Sequence, residues 1–553
     1  MVGAGALTKL RDGLRNLPRA DRHLIGAFFA LAIVTLAMGG LFALILALEV
    51  GNLIQLPPLP AFQYLTLHAS TIFYYWLYFV QTGVILALIL VYTKGAHLTP
   101  AWRGIAWAGF FLMVAGLAVN LVTVAQGAAV LYTVFQPLAQ QFEGSGFFLI
   151  GYILLAIGLF LAGLTGFVTS IRPRLEGVIG EWSSISYAAV LWMSFLMVAS
   201  VISLLAYVPA ALLAFGMSPL IADFNYTMSW AVLFHNMHYL PLMSTVLVWY
   251  VLAEATTGVK SVFSRRLSKS VFFLYLLVVP PTSLYHVFLE PDVASGVKLM
   301  GSVLALLISV PTIAVFLIIV ASLQASANGQ GARGLFGWLR YLPWRNPAFS
   351  AMALAWVAAL GGGVVANVLI LERVAPLLSD TFAIPGYFHF LTIAVTLTFI
   401  GALIYMIPAL TGHRLWMPSL ARALPFVLIA GVTLFAVAGT WAGFLGVPRR
   451  TLEFDYGGAA PSSWAPLMTA VGIGGVIMVA AGVVYVSILA ITALRDMRSG
   501  LRVEDWPVAS FRVEDSVGQS AWFGPAAVAV LVAGMYVVTI LAFRLMRSLP
   551  FAG

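Results

Sequence analysis

Five of the eight histidines, His68, His235, His238, His286 and His389, fall on four separate apolar segments. Counted at roughly 1.5 Å per residue from the nearest segment end, all five lie at one depth. Imidazole is rare inside lipid and is the commonest side-chain ligand for transition metals. Several imidazoles at one level on different helices suggest a metal or haem site buried in a helix bundle. Local spacing refines this. His235 and Tyr239 are four apart and share a helix face, and His238, three residues from His235, can also turn inward. Tyr387 and His389 are two apart, so they project to opposite sides of one helix and can address two different sites. The adjacent Arg449 and Arg450 suit bidentate binding of carboxylates such as haem propionates. His23, His97 and His413 fall in or near loops, where solvation is expected.

The elements that must carry these residues are membrane-spanning. The chain has 553 residues, of which 62% are hydrophobic and 8% charged, with a mean hydropathy of +1.02. A soluble fold of this length needs more charge on its surface. Apolar stretches of about twenty residues recur along the whole chain. About 13 transmembrane helices are expected, centred near residues 36, 78, 115, 159, 200, 240, 279, 310, 360, 399, 434, 479 and 534. They form a single all-α transmembrane domain over 1–553. The polar gaps Ala325–Pro347 and Asp496–Gln519 are too short to build a soluble core. Gly361-Gly362-Gly363 and the small residues of Gly472–Gly482 fit close helix packing.

Basic residues set the orientation. Loops on the N-terminal side hold 22 of the 28 Lys and Arg residues. The N-terminal segment 1–23 is basic and lacks a signal-peptide pattern. The N-terminus is therefore expected in the cytoplasm of a bacterial inner membrane and, with 13 spans, the C-terminus in the periplasm or outside. The histidines then lie in the outer third of the bilayer. The net charge of +9 reflects this asymmetry and contact with anionic lipid, and nucleic acid is not an expected partner. Cysteine is absent, which excludes disulfides, thiolate metal sites, iron–sulfur clusters and covalently attached haem c. Secondary transporters place ionisable groups at the bilayer midplane. No Asp, Glu, Lys or Arg lies near the centre of a span, which argues against an ion-coupled carrier.

These residues carry a family resemblance. The chain resembles subunit I of the haem–copper oxidase superfamily, nearest the B-type (ba-type) oxidases, over most of its length. Thr66-Leu67-His68 is similar to the second-helix segment bearing an axial ligand of the low-spin haem. Phe234-His235-Asn236-Met237-His238-Tyr239 is similar to the sixth-helix His-Pro-x-x-Tyr motif, whose His binds copper and whose Tyr is cross-linked to it. Pro281–Asp292 resembles the segment with the His-His copper-ligand pair. Gly334-Leu335-Phe336-Gly337-Trp338 through Asn346-Pro347-Ala348-Phe349 resembles a B-type inner loop. Ile384-Pro385-Gly386-Tyr387-Phe388-His389 resembles the Pro-Gly-His-x-His stretch, and Trp441-Ala442-Gly443 to Arg449-Arg450 the propionate-clamping segment.

The resemblance implies a haem-copper oxidase subunit I-like bundle with a degenerate second centre. Its low-spin haem ligands are His68 and His389, with Arg449 and Arg450 on the propionates. Where the family has the high-spin haem ligand, this chain has Tyr387. Where it has the first His of the copper pair, this chain has Tyr285, which leaves His286 with His235, and His238 as a substitute. The Pro of the sixth-helix motif is Asn236. Tyr239 matches the catalytic tyrosine. Tyr239, Tyr250 and Thr312 match the family's proton path, but Val246 and Val315 replace polar steps. The implied protein is a b-type cytochrome subunit of a respiratory-type redox complex. It holds one low-spin haem b, with a second haem and copper in doubt, and docks a cupredoxin or c-type cytochrome subunit on its outer face. Two alternatives stand beside it. One is an active oxidase or nitric oxide reductase with Tyr387 as haem ligand; the other is a cofactor-free transporter or structural subunit.

Overall fold

The computed structural model describes residues 2–130, 143–217, 223–259, 265–282, 296, 309–369, 374–450 and 458–509. An amphipathic helix, α1 (Val2–Arg15), precedes the bundle. The bundle begins with α2 (Arg19–Val50), α3 (Pro58–Ser70), a π-helical turn (Thr71–Trp76), α4 (Leu77–Tyr92) and α5 (Pro100–Ala125). It continues with α6 (Ser145–Leu175), α7 (Ser184–Ala214), α8 (Asp223–Thr257), α9 (Arg265–Thr282) and α10 (Ser309–Asn328). After α11 (Pro347–Leu369) come a one-turn helix α12 (Ala375–Leu378), α13 (Ala383–Thr411), α14 (Pro418–Phe444) and α15 (Trp464–Leu494). Among the described residues, 11 helices are long and apolar enough to cross a membrane. They match the expected spans except two. The span expected near residue 279 begins as α9 with Arg265, Arg266 and Lys269 and is described only to Thr282. The one near residue 534 lies outside the described residues.

Helix boundaries follow local chemistry. Pro57-Pro58, Thr99-Pro100 and Met417-Pro418 each put a proline at the first helical turn, where no N–H is needed. Thr99 and Ser183 cap their helices by accepting from the backbone N–H of Trp102 and Ser186. Arg172 and Arg174 sit in the last turn of α6, where a cation complements the helix dipole.

The unit α3–π–α4 is the central span: 94% of its apolar window is buried, against 33% for α2. A helix apolar on all sides and enclosed by others belongs in the middle of a bundle. Polar groups in that core are paired locally. Pro241 in α8 has no N–H to return to the carbonyl of Met237, and the Tyr78 hydroxyl donates to that carbonyl at 2.8 Å. The Trp192 indole donates to Leu240 O at 3.0 Å beside it. Glycines set the closest contacts. A Cβ on Gly472 would lie 2.5 Å from Gly51 Cα, and one on Gly362 2.7 Å from Leu391, as the small-residue runs suggest; around Gly482 nothing lies within 4 Å.

On the N-terminal face, α1 closes the bundle. Leu10 and Leu14 are fully buried, Tyr405 donates to Leu7 O at 3.3 Å, and Arg15 pairs with Glu504. Asp21, in the first turn of α2, is 1% exposed and pairs with Arg103 at 2.7 Å.

Candidate functional site

His68 lies in the last turn of α3 and His389 in the second turn of α13. The structure brings them together across the bundle: their ring centroids are 6.5 Å apart and their planes differ by 11°. Each ring is held by a backbone carbonyl. His68 Nδ1 lies 3.0 Å from Gly39 O on α2, and His389 Nδ1 lies 2.7 Å from Pro385 O, one turn earlier in its own helix. A carbonyl only accepts, so each Nδ1 carries the proton. That leaves the Nε2 lone pair of both imidazoles free to bind a metal.

The spacing suits a shared metal. A metal–imidazole bond of about 2 Å plus roughly 1 Å from Nε2 to the ring centre, on each side, would put two rings that share a metal about 6 Å apart. Phe435 packs on the His389 ring at 4.2 Å and gives the pocket an apolar wall. On the α3 side, the π-helical turn follows His68 directly. Such a turn shifts the register of the helix face and is frequent at functional sites. Here it turns Tyr74, Tyr75 and Trp76 into the core. Tyr152 anchors it by donating to Ser70 Oγ at 2.9 Å, and Tyr75 does so by bonding Asn120 Oδ1.

The arginines lie in the loop after α14, which pairs with the loop leading into α13. Phe382 N donates to Val447 O at 2.7 Å, and Arg449 N to Asp380 O at 2.9 Å. These bonds clamp the loop leading into α13 to the loop leaving α14. The Arg449 guanidinium reaches Asp380 Oδ1 at 3.2 Å, while its Nε is buried without a partner among the described residues. A buried donor left open beside the loop that leads into α13 is what a propionate carboxylate would satisfy. Arg450 follows in a left-handed backbone conformation, φ +59°. The α13–α14 contact below the clamp is made by glycine: a Cβ on Gly443 would fall on the backbone of Ala383.

Tyr387 faces away from His389. It packs in a small apolar cluster with Val374, Leu378, Ala383 and Phe444, and its ring meets Phe388 at 6.3 Å. Tyr239 is within electrostatic reach of Tyr387, as Tyr275 is of Tyr239. The Tyr275 hydroxyl bonds Thr312 Oγ1 at 2.6 Å, and the Tyr250 hydroxyl bonds Ser268 Oγ at 3.2 Å. Val246 and Val315 are fully buried. The side chains of His235 and His238 are outside the described residues, as are Tyr285 and His286 altogether. His23 and His97 are exposed, as expected. His413 departs from the expectation: it is half-buried, and its Nδ1 lies 2.9 Å from Thr492 O.

Sequence reasoning missed Tyr275, although a search of the spans for hydroxyls would find it. It also missed the carbonyls that orient the two imidazoles, for which the sequence carries no signal, since every residue has a carbonyl.

Comparison with known proteins gives the family and the fold. The family model described as cytochrome c and quinol oxidase polypeptide I matches residues 23–477. A cytochrome c oxidase subunit 1 from Thermus thermophilus is 28% identical over 548 residues, covering 92% of each chain. A second Thermus thermophilus cytochrome c oxidase subunit 1 sequence is 33% identical over 108 residues, 19% of this chain and all of its own length. The fold is similar to that of a heme-copper terminal oxidase solved as a dimer by cryo-EM. The TM-score is 0.78 at 19% identity, over 95% of this chain and 93% of that one.

Proposed function

Because the chain belongs to the cytochrome c and quinol oxidase polypeptide I family, we propose that it is a b-type cytochrome subunit that moves electrons through one bis-imidazole haem. The observation that carries this is the pair of near-parallel imidazoles 6.5 Å apart, each with its Nδ1 held by a carbonyl. His68 and His389 would hold the haem iron through Nε2. Arg449, through its open Nε, and Arg450 take the propionates. When bound, the haem would supply a one-electron carrier, and with both imidazoles holding its iron it would be closed to substrate. The protein's part is to fix the two rings, exclude water with Phe435 and the buried aromatics of the π-helical turn, and neutralise the carboxylates.

The family's second centre is altered in this chain. Tyr387 stands at the high-spin ligand position, and its ring packs among Val374, Leu378 and Phe444, which supports a packing role. Val246 and Val315 interrupt the hydroxyl path at fully buried positions, which fits a chain that no longer consumes protons at that centre. The competing reading keeps Tyr387 as a working haem ligand in an active oxidase. Its support is the proximity of Tyr387 to Tyr239 and of Tyr239 to Tyr275. In either case the N-terminal face is cytoplasmic, the histidine pair lies towards the outer face, and a cupredoxin or c-type cytochrome subunit exchanges electrons there.

Haem and copper per polypeptide, measured on protein purified with its native partners, tests the proposal. One haem b and no copper is expected; two haems with copper would overturn the altered second centre. His68→Ala and His389→Ala should each abolish the low-spin reduced-minus-oxidised spectrum. An unchanged spectrum in either would overturn the ligand assignment.

A further inference from the structure

The loop joining α10 to α11 takes no part in the histidine site. It lies on the N-terminal face, where Asn346 Nδ2 donates to Pro507 O at 3.1 Å, close in the chain to the Glu504 that pairs with Arg15. From Gly329 to Asn346 it carries Arg333, Arg340 and Arg345, no acid, and four aromatic residues. Its backbone is held in shape. Gly331 and Gly334 turn the chain at φ +94° and +77°, and a 3-10 turn follows over Gly337–Tyr341. The Trp338 indole donates to Leu335 O at 2.9 Å, and the Trp344 indole to Leu339 O at 2.7 Å. These bonds fold both indoles back onto the loop and leave Leu335 and Phe336 outside, 40% and 66% exposed. Single exposed apolar residues are common, but here two adjacent ones are held outward among cations.

Charge and level select the partner. Arg333, Arg340 and Arg345 are exposed, and none of them joins an ion pair among the described residues. The ends of two spans on the same face show the same pairing of apolar and basic residues. Leu175, 80% exposed, ends α6 beside Arg172 and Arg174, and Leu494, 79% exposed, ends α15 beside Arg495. Both helices are long and apolar enough to cross a membrane. At such an end the leucine meets acyl chain while the guanidinium reaches the headgroups. The loop repeats that pattern between the ends of α10 and α11, which are also candidate spans. Exposed apolar area ringed by uncompensated guanidiniums suits a surface that is apolar within and anionic at its edge, as a bilayer of anionic phospholipid is.

We propose that the tip of this loop inserts into the bilayer surface on the N-terminal face, with Leu335 and Phe336 entering the acyl boundary and Arg333, Arg340 and Arg345 binding lipid phosphates. The chain has no cysteine, so Phe336→Cys can carry a single nitroxide label. The labelled protein, purified with its native partners, is placed in bilayers of phosphatidylcholine mixed with phosphatidylglycerol. Collision of the label with oxygen, which concentrates in lipid, is compared with collision with a water-soluble nickel chelate. Val483→Cys, exposed within α15, is the lipid reference, and Ser499→Cys, exposed in the loop after it, is the water reference. At position 336 the ratio of oxygen to nickel collisions should exceed that at Ser499 several-fold and approach that at Val483. Adding Arg333→Glu and Arg340→Glu should lower it towards the Ser499 value. Where the label at 336 alters the haem spectrum, Leu335→Cys makes the same measurement. A ratio equal to that at Ser499 would overturn the insertion. A label shielded from both reagents would overturn it too, and would assign the loop to a protein partner. An unchanged ratio in the double Glu variant would overturn the phosphate contacts.

Discussion

Replacing Gly386 by alanine should damage the haem pocket without touching a ligand. Gly386 precedes His389 by three residues on α13 and lies against α14. A Cβ there would fall 2.6 Å from Thr440 N, 2.8 Å from Thr440 Oγ1 and 3.0 Å from the carbonyl carbon of Gly439. The shortest of these is about 0.8 Å inside the 3.4 Å at which ordinary contact begins. Two of the three opposing atoms are backbone, so no rotamer change relieves the clash and the helices must part. Overpacking of this kind costs about 1–3 kcal/mol. A parting of several tenths of an ångström would also shift His389, and a metal–nitrogen distance of about 2 Å tolerates only about 0.2 Å. Gly386→Ala should therefore lower the temperature of haem loss and convert part of the low-spin population to high-spin. Reduced-minus-oxidised spectra and thermal release of haem measure both effects. The control is Gly482→Ala in α15, where nothing lies within 4 Å. A Gly386→Ala protein with unchanged spectrum and thermal stability would refute the argument that this close approach positions His389.

Other consequences follow from the same structure. Tyr387→His returns an imidazole to the position facing away from His389. It should raise haem content above one per chain by pyridine haemochrome assay if the second pocket is degenerate, whereas loss of an existing activity would show that Tyr387 is a working ligand. Arg449→Gln removes a cation beside the propionates and should lower the midpoint potential. At a separation on the order of 10 Å and an effective dielectric of about 20, the effect is roughly 1–2 kcal/mol, tens of millivolts. An unchanged potential in a redox titration would place Arg449 outside the haem's field. On the N-terminal face, burial pushes the Glu504 carboxyl up, but its own backbone N–H, Arg15 and Arg11 outweigh this and hold it below the usual range. A lowered folded-state value contributes stability that is present above the unfolded value, about 4.3, and lost as the pH falls through the folded value. The α1 contact should thus loosen in acid, read as faster proteolysis after Arg15, and Glu504→Gln should abolish that pH dependence.

The sequence alone determined the class, the eleven spans found among the described residues and the shared level of His68 and His389. Each is a one-dimensional property: bilayer thickness fixes how many apolar residues make a span, and helical rise converts residue number into depth. That is why His68 and His389 could be placed at one height before any contact was known, and why the arginines at 449 and 450 could be set beside them. Rotation and tilt are another matter. Which way a ring points depends on how each helix packs on its neighbours, through contacts such as Gly386 on Thr440, and on a π-helical turn that local propensity does not signal. Only the tertiary structure decided that the two imidazoles are near-parallel. It alone joined Gly39 to His68 across 29 positions and turned Tyr387 towards Val374 and Leu378. It also left Arg449 Nε buried and open, because the loop clamp at Asp380 engages only part of the guanidinium. Depth is additive along the chain, but facing is a property of pairs of helices.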